Sequence, residues 1–303
     1  MSAVTKIRSL DKSYSMERFY SILGKSRQTY HKALLTQQKV VERDQQIIAH
    51  VMEWRSRHPR MGSRALYYTM IESGVDLPIG VNSFERLLSQ KNLTVGTAKR
   101  SSPLTSDGLG RRNYPNLTNG LVLNDINQLI AADITYFWLR SKWCYLFILK
   151  DVYSQRIISL IPSENMKARN AVQTLIDLKR LRGKKALRNC IHHSDNGSQY
   201  EAQSYKNMLQ KLNMKISRAK SCSQNGSLEQ ANHIVKNMYL RHFGIRTFSE
   251  LKSACKKVKR LMNNERAVKL IGNITVDHFE QSLRQLPLEE RIQKTMYDFD
   301  NDT

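Results

Sequence analysis

The chain has 303 residues, with 49 Lys and Arg against 26 Asp and Glu, a formal net charge of +23. Hydrophobic residues make up 40 % of it, enough to fill an ordinary core, which excludes disorder of the whole chain despite the charge. No apolar run reaches the ~18 residues of a membrane-crossing helix, and no hydrophobic signal segment follows Met1. Cys144, Cys190, Cys222 and Cys255 lie far apart with no Cys-x-x-Cys pair, which argues against a disulfide framework and a cysteine-rich zinc site. The chain reads as a soluble protein of a reducing compartment. Its charge points to a polyanion, nucleic acid before an anionic membrane surface.

Residues 1–120 carry a net +10, residues 121–245 a net +11, and residues 246–303 only +2. The positive surface therefore belongs to folded regions rather than to a basic tail. No segment has the form of a basic interfacial helix.

In chain order, the first 95 residues read as helices with short breaks. Ser15–Leu23, Gly24-Lys25-Ser26 and Arg27–Thr36 give helix, tight turn and capped helix, with Ser26 as the N-cap. The pattern fits a helix-turn-helix, in which Arg27 and the second helix meet DNA, and equally a plain helical hairpin. Val41–His58 forms a longer helix stopped by Pro59. Arg60-Met61-Gly62-Ser63-Arg64 opens another that runs to about Gly74, with Ser63 as cap and Arg60 and Arg64 aimed at phosphate; a solvated helix start fits as well. Val81–Lys91 makes one more. Thr97–Leu123 is crowded with Ser, Thr, Asn, Gly, Pro and Arg and lacks hydrophobic periodicity, the texture of a linker.

From residue 124 strands follow. Gln128–Trp138, Trp143–Lys150 and Arg156–Ile161, the last ended by Pro162, form a meander. Then come helix Met166–Arg182, strand Asn189–His193, helix Glu201–Leu212, strand Met214–Ser217, and a helix from about Ser227 to Phe243, ended by Gly244. This order predicts an α/β core with a mixed five-stranded sheet flanked by helices, the ribonuclease-H-like arrangement. The expected organisation is a helical DNA-binding region of helix-turn-helix type (1–96), a linker (97–123), the catalytic core (124–245) and a helical tail with an acidic end (246–303).

Within so basic a core, the informative residues are acids inside apolar elements. Asp133 sits in Leu129-Ile130-Ala131-Ala132-Asp133-Ile134-Thr135-Tyr136-Phe137, where a carboxylate is costly unless paired or bound to a cation; a strand end facing water is the simpler reading. Asp195 follows the short strand in His192-His193-Ser194-Asp195-Asn196-Gly197, at the carboxyl end of a sheet strand, where sites form, although Asp-Asn-Gly also favours turns. On the last core helix Leu228, Ala231, Ile234, Val235 and Met238 fall on one arc, and Glu229, Asn232, His233 and Lys236 on the other. Taken alone, that polar arc reads as solvated surface. Three carboxylates on the first strand, the fourth strand and a late helix suit Mg²⁺ or Mn²⁺.

Asp133-Ile134-Thr135-Tyr136, Asp151-Val152-Tyr153-Ser154-Gln155-Arg156, His192-His193-Ser194-Asp195-Asn196-Gly197-Ser198-Gln199-Tyr200 and Glu229-x-x-Asn232-x-x-x-Lys236 together resemble the integrase catalytic core of DDE transposases, above all those of bacterial insertion sequences whose catalytic half is encoded in a second reading frame. Arg57-His58-Pro59-Arg60-x-Gly62-Ser63-Arg64 resembles that family's helical DNA-binding region. Asn264-Glu265-Arg266 and Gly272-Asn273-Ile274-Thr275 resemble its C-terminal end.

The resemblance implies a catalytic triad of Asp133, Asp195 and Glu229 holding two Mg²⁺ or Mn²⁺ ions about 3.5–4 Å apart, for cleavage and transfer of DNA strands. It implies Lys236, seven residues after Glu229, at DNA near the scissile phosphate, and Asn232 in support. Asp151 matches a position outside the triad and reads as structural, and His192 and His193 flank the site without binding zinc. Asp195 and Glu229 are separated by 33 residues, slightly fewer than is usual in the family. The Trp usual before the first Asp is absent, and Arg266-Ala267 and Thr275-Val276 replace the family's tail pattern. The implied partners are double-stranded DNA (element ends and target), further copies of the chain on DNA, and a first-frame helix-turn-helix protein or fusion, with no membrane. The implied location is the bacterial cytoplasm, at the nucleoid. A catalytically silent DNA-binding regulator and a structure-selective Mg²⁺-dependent nuclease are the alternatives.

Overall fold

The computed structural model describes residues 17, 20, 24–96, 114–219 and 226–298. Its contacts divide the chain into two compact units, residues 1–53 and residues 54–303.

In the first unit, Gly24 takes φ +58° in the turn before the helix, and Ser26 Oγ accepts from the Thr29 backbone N–H at 3.2 Å, the cap expected from sequence. The two helices expected after it are one. Helix α1 (Arg27–Arg57) is unbroken over 31 residues, because Gln37-Gln38-Lys39-Val40 contains neither Gly nor Pro to interrupt it. The helix expected over Ser15–Leu23 lies almost wholly outside the described residues.

The second unit begins with the end of α1 and continues through α2 (Ser63–Glu72) and α3 (Val81–Gln90). Gly62, not Ser63, occupies the N-cap of α2, and no side chain caps it. Both short helices fall within this unit, and α2 is bonded to its C-terminal segment. Thr69 Oγ1 accepts from Ala267 N at 3.0 Å, and Glu72 accepts from Thr275 N at 3.2 Å and contacts His278 Nδ1 at 2.7 Å. The contacts therefore divide the chain after Glu53 and not near residue 96.

Strands β2 (Leu129–Leu139), β3 (Lys142–Asp151) and β4 (Ile157–Ser163) form the antiparallel meander, and β5 (Ile191–Ser194) and β6 (Lys215–Arg218) add in parallel; the order is β4-β3-β2-β5-β6. Pro162 lies inside β4 instead of ending it, which an edge strand tolerates because the missing N–H can face outward. The described part of the expected linker is part of this unit: Pro115 O accepts from Arg218 N at 3.1 Å and Ser217 Oγ accepts from Leu117 N at 2.9 Å, which covers the other edge. Beyond it β1 (Val122–Leu123) pairs with β7 (Lys294–Thr295).

The strand period of two splits the core into two layers. Ile130, Ala132 and Leu149 pack with Leu175 and Leu178 of α4 (Ala168–Arg182) and Leu209 of α6 (Gln203–Lys211), which follows the single turn α5 (Ser198–Glu201). Leu129, Ala131, Leu146 and Ile148 face α7 (Gly226–His233), its π-helical continuation Ile234–Tyr239, α8 (Phe248–Arg260) and α9 (Val276–Ser282). The segment expected as a separate tail thus fills one face of the core, with Leu251, Cys255, Val258 and Phe279 buried there. His192 and His193 are core residues: His192 Nε2 lies 2.7 Å from the Tyr205 hydroxyl and His193 Nδ1 lies 2.9 Å from Ser217 Oγ.

Candidate active site

Asp133 and Thr135 continue the β2 face that carries Leu129 and Ala131 beneath α7. Two strand residues advance ~6.7 Å and four helical residues ~6 Å, so Asn232 and Lys236 can meet Asp133 and Thr135 in step. The Asn232 amide donates to Asp133 Oδ2, and Lys236 Nζ donates to Thr135 Oγ1 at 2.7 Å. The polar arc of this helix is therefore not all solvated: Asn232 is buried and Lys236 half-buried, while Glu229 is exposed.

β5 runs parallel to β2 with Ser194 opposite Ala132, which brings Asp195 out of the strand end beside Asp133. Asp195 Oδ1 accepts from Gly197 N at 3.0 Å, closing a tight turn. A Cβ at Gly197 would stand 3.0 Å from that same oxygen and 3.1 Å from Gln199 Oε1, so a larger residue there would have to displace the Asp195 carboxylate by a few tenths of an ångström.

Burial first, and then the negative charge of Asp195, push the Asp133 carboxyl up to about 7, against the opposing bonds from Ile134 N–H and Asn232. Glu229 adds the smallest of these influences. Asp195 is itself raised by burial, while the Gly197 N–H and the charge of Arg218 pull the other way. Among the described residues no three His, Cys, Asp or Glu side chains converge on one point, so the fold brings Asp133 and Asp195 together and leaves Glu229 outside that pair. Two mutually repelling carboxylates of hard oxygen donors fit a divalent cation, which would relieve the charge that raises Asp133.

Arg218 is the residue that sequence reading passes over. Its guanidinium is 2 % exposed and donates to Ser194 Oγ at 3.0 Å, Tyr200 O at 2.9 Å and Glu201 Oε1 at 3.0 Å. The only signal was an arginine inside a short apolar strand. Asp151, fully buried, accepts from Asn127, Tyr153 and Ser154 N–H groups and lies 3.6 Å from Arg182, which makes it a turn-holding residue. Arg27 is exposed at the start of α1. Arg60 donates to Gly96 O at 3.0 Å, and Arg64 pairs with Glu85 at 2.5 Å and Asn82 at 3.0 Å.

Known proteins are similar to this chain in sequence and in fold. The integrase core domain family matches residues 124–223, from just before β2 to just past β6. The simian T-cell lymphotropic virus intasome, solved in complex with PP2A regulatory subunit B56 gamma, superposes with a TM-score of 0.50 at 15 % identity over 78 % of this chain and 74 % of that one, which establishes a common fold. The HTLV-2 integrase catalytic core, solved in complex with magnesium, gives a TM-score of 0.43 at 17 % identity over 51 % of this chain and 97 % of that one. The class of fold is therefore that of the integrase core, carried by residues 124–223 with the sheet order β4-β3-β2-β5-β6. The 31 kDa protein of insertion element IS600 from Shigella sonnei is 28 % identical over 229 residues, 74 % of this chain and 83 % of that protein. Transposase InsF for insertion sequence IS3A from Escherichia coli K12 is 28 % identical over 162 residues, 52 % of this chain and 56 % of the transposase. The chain is thus similar, over residues 124–223, to the integrase core domain family, and more widely to proteins of bacterial insertion sequences, a transposase among them.

Proposed function

We propose that the chain cleaves and joins DNA strands during transposition with Asp133, Asp195 and Glu229 as its catalytic carboxylates. The observation that carries this reading is the Asp133–Asp195 pair, where burial and then the neighbouring negative charge raise Asp133 to about 7 in a chain of net charge +23. Unrelieved anions beside DNA phosphate would repel it, so the pair calls for a cation. The three carboxylates would hold Mg²⁺ or Mn²⁺, two ions per site, which when bound favour the ionised attacking hydroxyl and neutralise charge at phosphorus.

The chain's own residues orient the reactants. The Asn232 amide holds Asp133 Oδ2, which fixes the carboxylate. Lys236, held by Thr135 Oγ1, supplies a positive charge for the phosphate next to the bond that breaks. Glu229, exposed on α7, joins the pair when DNA is bound. Arg27, Arg60 and Arg64 grip backbone phosphates, Arg64 exchanging its surface pair with Glu85 for DNA. The substrates are element ends and target DNA. Several copies assemble on them in the cytoplasm at the nucleoid, with a first-frame helix-turn-helix protein or fusion as partner.

The test uses labelled duplexes carrying the terminal sequences of the encoding element, with Mg²⁺. Joined product is expected from the native chain, and none from Asp133→Asn, whose DNA binding persists. A variant that still joins strands overturns the assignment; cut but unjoined product from the native chain would make it a nuclease, and binding alone a regulator.

A further inference from the structure

On the α7 side of the sheet a cavity of about 110 Å³ lies beside the catalytic carboxylates without including them. Lys150 of β3 stands opposite Ala131, two residues before Asp133 along β2 and on the same face. With it, Gln155, Gln230, Arg266 and Lys269 line the cavity over an apolar wall that includes Ile234. Three of these five polar side chains are cations and none is an acid.

Lys150 is 3 % exposed, and its Nζ donates to Gln155 Oε1 at 2.6 Å. Arg266 Nε is buried with no hydrogen-bond partner. Burial, then the charges of Lys294 and Arg266, depress the Lys150 ammonium to about 7. Asp151, which opposes the depression of Lys150, and Glu265 are the acids next in the chain to Lys150 and Arg266, and both make other contacts. Asp151 binds three backbone N–H groups beside Arg182, and Glu265 contacts Arg57 at 2.8 Å, His58 at 3.5 Å and Arg260 at 3.4 Å. Water can satisfy a lone donor, but only an anion also relieves repulsion among crowded cations.

We propose that this cavity is an anion site that takes a phosphate group on Lys150, Arg266 and Lys269, with the Gln155 and Gln230 amides completing its hydrogen bonds. The phosphate is either free or a backbone phosphate of bound DNA. The second source rests on the transposase reading, since Gln230 adjoins Glu229.

Orthophosphate is titrated into the full-length chain against chloride at matched ionic strength, following the thermal midpoint and the ³¹P linewidth. The native midpoint rises and saturates, and the rise is lost in Lys150→Met and Arg266→Gln; Lys269→Gln, at an exposed position, serves if a buried change impairs folding. Duplex DNA binding is then measured across salt concentrations. A slope of log K against log salt shallower by about one in Arg266→Gln identifies a DNA phosphate as occupant. An unchanged slope with the phosphate effect lost identifies free phosphate. The proposal is overturned if the native chain shows no phosphate-specific rise and an unaltered slope in Arg266→Gln, or if the rise persists undiminished in all three variants. The phosphate arm is independent of strand joining, so its failure and that of the transposase reading are told apart.

Discussion

Arg218 fastens both ends of the turn that carries Asp195. Ser194, on one side of the turn, accepts from Nη1, while Tyr200 O and Glu201 on the other side accept from Nη2 and Nε. The Tyr114 ring lies 5.5 Å below the guanidinium. A planar fork with this many fixed donors has no lysine equivalent, and a buried arginine left without its acceptors would be costly. Arg218 touches no reacting atom, so its effect passes through the placement of Asp195. Arg218→Gln should lower strand joining on the order of 10–100-fold, the usual penalty for losing a group that orients a metal ligand. It should also raise the Mg²⁺ concentration for half-maximal rate while DNA affinity stays within a few-fold. Arg218→Lys should fall between. Joining rates measured across a Mg²⁺ series decide the matter; an unchanged half-maximal concentration would reduce Arg218 to a core residue with no bearing on the site.

At the scale of elements, the helix that carries Glu229, Asn232 and Lys236 departs from the α form just where it docks. Its π-helical stretch Ile234–Tyr239 turns Tyr239 inward, where the hydroxyl lies 2.8 Å from Nδ1 of fully buried His58 and Trp54 stacks on the imidazole at 5.7 Å. Burial, then the charges of Arg57, Arg266 and Lys257, depress His58 to about 3; Glu265 at 3.5 Å pulls the other way, but Arg57 and Arg260 share it. The folded chain keeps His58 neutral, whereas the unfolded chain protonates it near its ordinary 6.5. Stability from this residue is therefore complete above ~6.5 and lost as pH falls toward ~3. His58→Gln removes the titration and keeps an acceptor for Tyr239. Between about pH 6 and pH 5 its unfolding free energy should fall less steeply than that of the native chain, by up to about 1.4 kcal/mol per pH unit. Parallel pH dependences in denaturant titrations would refute the assignment.

Such features were not legible in the sequence. A π segment has no hydrophobic signature, and the partners of Tyr239 and Arg218 lie far away in the chain or in segments read as loops. What was legible is local: the apolar run of β2, the capped turn at Ser26, and the carboxylate of Asp133 within that run, because apolar composition, capping and the cost of buried charge act within a few residues. The bond from the Leu117 N–H to Ser217 Oγ, which converts linker texture into sheet edge, spans 100 residues and leaves no mark on composition.

At the scale of the whole second unit, two acids of the last segment sit against arginines of the core. Glu280 bonds Arg182 at 2.5 Å and forms an ion pair with Arg156 at 2.8 Å, and Asp277 also pairs with Arg156, so these two acids neutralise arginines beside β4 and at the end of α4. Asn263 fastens the same edge, accepting from Ile157 N at 3.0 Å and donating to Ile157 O at 2.9 Å. Leu251, Val258, Leu261, Ile271, Val276, Phe279 and Leu283 are all buried in the layer that also holds Leu228 and Val235 of the α7 helix. At about 1.5–3 kcal/mol for each large apolar side chain, the loss of these seven removes roughly 10–21 kcal/mol, as much as or more than the ~5–15 kcal/mol of net stability a domain has. Truncation after Ile245 should therefore abolish cooperative unfolding rather than yield a working core without a tail. The α7 helix would lose its packing partner, and the Asp133–Asn232 contact would go with it. A chain of residues 54–298 should unfold in one cooperative transition, resisting protease that degrades residues 54–245. A 54–245 fragment with a native-like melting transition would show instead that the last segment is an accessory to the core.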